Sequence, residues 1–123
     1  MKSVLFLDEE HALRTVFSEV LRNEGFEVLE AADMAQAVQA CDEYGKPIDL
    51  SIISTIDGMS AAKRLAETHP HMRILLIGHP EWKPKVRRLR GLNPPWLQKP
   101  FTSEELLEAV HRLANGRGSH AGK

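Results

Sequence analysis

Five short apolar runs, separated by stretches of helical periodicity, constrain this chain more than any other feature. Val4–Leu7, Phe26–Leu29, Leu50–Ile53 and Arg73–Ile77 read as strands, with a weaker fifth at Trp96–Gln98. Runs of this length without polar alternation suit strands covered on both faces. Over His11–Asn23, the residues Leu13, Val16, Phe17, Val20 and Leu21 recur at a 3.6-residue period and predict one buried helix face. Glu24-Gly25 ends that helix, because glycine takes a left-handed C-cap without strain. Asp33 is placed to cap a helix running through Tyr44, with Ala37, Val38 and Cys41 inward and Gly45-Lys46-Pro47 as its stop. A turn at Asp57-Gly58 precedes a helix near Ser60–Thr68. Thr102-Ser-Glu-Glu105 forms a capping box opening a helix that carries Leu106, Leu107, Val110 and Leu113.

The pattern is strand–helix repeated, which predicts an α/β fold: a doubly wound, five-stranded parallel sheet with flanking helices. Such sheets gather their functional groups outside the carboxyl ends of the strands. Asp8, Glu9, Ser54, Gly78 and Lys99 all fall at such ends. With 123 residues the chain suits one domain, expected over 1–115, with 116–123 as a flexible tail or linker. A net charge of -1 offers no general attraction for nucleic acid or an acidic membrane. The lone Cys41 cannot form an internal disulfide, which suits a reducing cytoplasm, and no apolar stretch approaches a membrane span.

Val4-Leu-Phe-Leu-Asp-Glu-Glu10, Gly25-Phe-Glu-Val28 and Lys99-Pro-Phe101 followed by Glu104-Glu-Leu-Leu107 resemble the receiver domain of bacterial two-component response regulators, of CheY-like, flavodoxin-like fold. The resemblance implies that Asp8 and Glu9 stand where family carboxylates hold Mg²⁺. It also implies that Lys99 stands where a lysine reaches the phosphoryl group, and that Ser54 occupies the position of the phosphoacceptor Asp. Gly78 takes the place of a hydroxyl residue that senses phosphorylation, and Trp96 that of a switching aromatic. The loop Thr55–Ser60 lacks the family's Pro-Gly, and the segment His79–Arg90 is short and carries Pro80 and Pro84.

Those departures fall on the chemistry. Phosphoryl transfer to such a domain needs an anionic in-line nucleophile and a cation to neutralise the spreading charge. A serine hydroxyl keeps its proton near neutral pH unless a base takes it. With one carboxylate gone, Asp8 and Glu9 would hold Mg²⁺ only weakly, so no cofactor is expected. Asp8, Glu9 and Glu10 then read as a solvated acidic turn, with Lys99 paired to Asp8 or Glu9. Asp57 reads as a turn residue first and as a displaced acceptor second. Trp96, beside Pro94-Pro95, reads as an anchor.

The expectation is therefore a cytoplasmic, non-enzymatic pseudo-receiver that signals by protein–protein contact. Its partner would be a signalling protein or an attached output domain, with a homodimer compatible. The docking face would include Lys83, Arg87, Arg88, Arg90 and Trp96. Two alternatives remain: phosphorylation at a non-standard acceptor such as Asp57 or Asp8, and nucleic-acid binding through the 83–90 basic patch. The six histidines show no metal-ligand spacing.

Overall fold

The computed structural model describes residues 2–54, 58–79 and 95–114. In chain order these form β1 (Ser3–Asp8), α1 (His11–Asn23), β2 (Glu27–Ala31), α2 (Met34–Tyr44), β3 (Leu50–Ser54), α3 (Gly58–Thr68), β4 (Arg73–Gly78), β5 (Trp96–Gln98) and α4 (Ser103–Ala114). The strands make one five-stranded sheet in the order β2-β1-β3-β4-β5, every pairing parallel. The sequence-predicted Asp57, Lys83, Arg87, Arg88 and Arg90, and the 116–123 tail, lie outside the described residues.

Strand alternation sorts the core into two layers. Leu5, Leu7, Ile53 and Leu76 pack with Ala37 and Cys41 of α2 and Ala61, Ala62 and Leu65 of α3. Val4, Phe6, Ile52 and Ile77 pack on the other face with Leu21 of α1 and Leu106, Val110 and Leu113 of α4. Helices thus cover both faces, which is why every residue of β1 and β3 is buried. Each fully buried Leu, Ile or Phe contributes about 1.5–3 kcal/mol, so the central strands dominate the stability.

The helix ends follow the local sequence. After α1, the Gly25 amide donates to the Arg22 carbonyl at 3.0 Å and the Phe26 amide to the Leu21 carbonyl at 3.1 Å. Gly25 sits at φ +100 and Phe26 joins Leu21 in the core, a Schellman closure with its hydrophobic contact. Asp33 caps α2 by accepting from the Gln36 amide at 2.8 Å. The capping box forms in both directions. Glu105 N–H donates to Thr102 Oγ1 at 3.1 Å, and Thr102 N–H donates to Glu105 Oε1 at 2.8 Å.

Several expectations need correction. Strand β2 runs Glu27–Ala31 rather than Phe26–Leu29, and Gly58 opens α3 instead of only turning into it. Val16 and Val38, expected inward, are 57% and 42% exposed. The buried stripe of α1 is centred on Phe17, Ser18 and Leu21, with Arg14 partly covered alongside. Ser18 is fully buried, its small side chain occupying the covered face that Val16 was expected to fill. In α2 the stripe is Met34, Ala37, Cys41 and Tyr44, which leaves Val38 on its shoulder.

Candidate functional site

The sheet reverses its winding between β1 and β3, so the crevice outside their carboxyl ends is where an open α/β sheet presents functional groups. Asp8 and Ser54 close these two strands and are register partners. Gly78 ends β4, and its carbonyl accepts the Lys99 amide at 2.9 Å, which pins the start of the β5–α4 connection against the same edge. The topology therefore brings together Asp8, Ser54, Gly78 and Lys99, as their strand-end positions predict.

Asp8 is fully buried, which overturns the solvated-turn expectation for this residue. Its Oδ1 accepts the Glu10 amide at 2.8 Å, and its Oδ2 has no hydrogen-bond partner among the described residues. Burial pushes the Asp8 carboxyl above its ordinary range. The Glu10 amide, the Lys99 ammonium and the nearby Ser54 hydroxyl pull it back, while the Glu10 carboxylate adds to the rise. Ser54 is 2% exposed, and its Oγ likewise has no well-formed hydrogen bond among the described residues. Asp8 Oδ2 and Ser54 Oγ thus share a buried corner, neither with a well-formed hydrogen bond among the described residues, yet close enough for the hydroxyl to act on the carboxyl.

Lys99 is almost enclosed, with its side chain 10% exposed. Its Nζ donates to Glu10 Oε1 at 2.9 Å and lies 3.8 Å from Asp8 Oδ2. The expected pairing with Asp8 is present as the longer contact; Glu10, not Glu9, is the closer partner. Glu9 is exposed and faces a separate groove of about 290 Å³, lined also by Ala32, Asp33, Ser60 and Arg64. Sequence reasoning named Glu10 within the acidic run but gave it no role of its own. Its signal was faint: Glu10 is the N-cap residue of α1, yet its carboxylate makes no cap hydrogen bond and is free to reach across. Arg14 completes the frame, donating to the Asp8 carbonyl at 2.6 Å while pairing with Glu30 at 3.3 Å.

The donor set is a poor match for a dedicated Mg²⁺ site, which needs hard anionic oxygens around one point. Asp8 offers one unbonded oxygen, Ser54 a neutral hydroxyl, and a lysine ammonium already stands beside them. Among the described residues no three His, Cys, Asp or Glu side chains group to hold a metal.

Trp96 is half-buried and packs against the core layer of α2 and α3. Its indole Nε1 is enclosed without a hydrogen-bond partner among the described residues. His111 pairs with Glu24 at 3.0 Å and lies against the Phe26 ring.

The sequence model of the response regulator receiver domain matches residues 4–111. The transcriptional regulatory protein CpxR of Escherichia coli K12 is 29% identical over 124 residues, 98% of this chain and 51% of its own length. A response regulator described as NtrX-like from Rickettsia typhi is 28% identical over 116 residues, 89% of this chain and 24% of its own. The chain therefore spans a quarter to a half of these curated relatives. In three dimensions it is similar to the receiver domain protein of Clostridium thermocellum, with a TM-score of 0.83 at 20% identity, covering 96% of this chain and 98% of that one. No helix among the described residues is long and apolar enough to cross a membrane.

Proposed function

Because this chain belongs to the response regulator receiver domain family, and so to two-component signalling, we propose that it signals by protein–protein contact without phosphorylation at the family's acceptor position. The observation that carries this reading is the register pairing of a neutral, buried Ser54 hydroxyl, without a well-formed hydrogen bond among the described residues, with a buried Asp8. An acceptor in this chemistry must be an anion at rest or have a base within hydrogen-bond reach. Asp8 is the neighbouring carboxylate, and among the described residues no well-formed hydrogen bond joins its Oδ2 to Ser54 Oγ, although the hydroxyl is near enough to lower the Asp8 pKa. A Ser54 proton lost to anything other than Asp8 would place a second negative charge beside it in a buried corner, which is costly.

The domain then acts by shape and contact rather than by turnover, in the cytoplasm, on a signalling protein or an attached output domain. A second copy of the chain is compatible as partner. Residues 1–115 would form the receiver unit, with 116–123 a flexible tail or linker. The relative CpxR is a transcriptional regulator about twice the matched length, which supports an attached output as the natural context.

Incubation with acetyl phosphate and Mg²⁺, followed by intact mass and peptide mapping, tests the proposal. The expected result is no phosphoryl adduct. A hydroxylamine-sensitive adduct at any Asp would refute it and restore the phosphorylation alternative.

A further inference from the structure

We propose that Glu10 is a positioning residue that supplies this pocket with its own anion, occupying through a 2.9 Å contact the face of Lys99 that an incoming phosphoryl group would need. The inference rests on the reading of Ser54 as non-accepting and adds a second, separate block to it. Three observations carry it. The Lys99 backbone is pinned by the Gly78 carbonyl, and its nearly buried ammonium lies 2.9 Å from Glu10 Oε1 and 3.8 Å from Asp8 Oδ2. The Glu10 amide is bonded to Asp8 Oδ1, which orients the residue toward the pocket rather than back over α1. Finally, two carboxylates and one ammonium leave a single net negative charge at the strand ends, already partly balanced without an added cation.

An oxyanion approaching Lys99 would have to displace Glu10 and face its charge as well as that of Asp8. Charge-assisted hydrogen bonds of this length are among the stronger ones, so displacement is unfavourable. Glu10 is 61% exposed in its side chain while Lys99 is 10% exposed, so Glu10 is the half of the pair able to swing away. The block is a gate hinged at Glu10.

The experiment restores the nucleophile and then opens the gate. Ser54→Asp and Ser54→Asp/Glu10→Gln are each incubated with acetyl phosphate and Mg²⁺. The phosphoryl group passes from acetyl phosphate to the introduced carboxylate with release of acetate, and adduct is followed by intact mass. The double variant is expected to react at least about tenfold faster, the loss of one charge-assisted contact being worth that factor. Equal rates, including no reaction in either, overturn the proposal. In the otherwise unchanged chain, Glu10→Gln is expected to raise acetylation of Lys99 by acetic anhydride severalfold, read by peptide mapping. An unchanged Lys99 rate also overturns it. Phosphorylation of the unmodified chain would instead refute the reading of Ser54, so the two failures are distinct.

Discussion

Asp8 and Ser54 are the last register pair between β1 and β3, and each carries a buried oxygen without a hydrogen-bond partner among the described residues. Buried polar atoms are ordinarily satisfied, and leaving one unpaired costs about 1–3 kcal/mol. Two such atoms side by side make this corner the place at the strand ends where a substitution is most informative.

Ser54→Ala is the simplest probe of that corner. The Ser54 hydroxyl makes no well-formed hydrogen bond among the described residues, so its removal forfeits little and relieves one buried orphan. Stability should stay within about 1 kcal/mol of the parent or rise. Urea denaturation measures it, and a loss well beyond that would mean the hydroxyl has a structural partner.

The pH dependence at Asp8 has a definite sign. Burial raises its carboxyl above the ordinary 3.8, so the folded state binds this proton more tightly than the unfolded state. Asp8 stabilises the fold below the unfolded value, and that contribution is lost as pH rises through the raised folded value. Asp8→Asn keeps the Oδ1 acceptor for Glu10 and removes the charge. The variant should be more stable than the parent at pH 7, with the difference shrinking as the pH is lowered toward the ordinary carboxylate range. Paired urea titrations across that range check it, and a pH-independent difference would contradict the burial argument.

Thr102→Ala removes one half of the capping box that starts α4 directly after Lys99-Pro100-Phe101. The expected cost is about 1 kcal/mol, within the usual range for such caps. Thermal unfolding reports it, and Thr102→Ser should recover most of the loss because the hydroxyl acceptor is kept.

Val16→Gln tests the corrected face of α1. At 57% exposure this valine contributes little to the core, so the change should alter stability by no more than about 0.5 kcal/mol. Leu21→Ala, five residues on and fully buried, should cost about 2–5 kcal/mol. Similar costs at the two positions would restore the simpler reading of the helix face.

How far the site could be read in advance differs from residue to residue. Asp8, Ser54, Gly78 and Lys99 were locatable because each follows a recognisable apolar run, and strand ends converge in a parallel sheet. The partner of Lys99 was not locatable. Glu9 and Glu10 are adjacent and chemically alike, and the choice between them depends on the direction the chain takes as it enters α1. That direction is set by the Asp8 side chain binding the Glu10 amide and by Arg14 binding the Asp8 carbonyl. Likewise Val16 satisfies a helical period as well as Phe17 does, and only the seating of α1 on the sheet separates them.

Local patterning by itself located most of the strands and helices and the caps of Gly25, Asp33 and Thr102, because those rest on side-chain period and on hydrogen bonds a few residues long. Tertiary structure alone decided that Asp8 is shut away from water, that Glu9 faces a different groove, and that Glu10 closes on Lys99 from 89 residues away. Burial and long-range charge pairing are properties of how the layers meet, and nothing within a single run of residues specifies them.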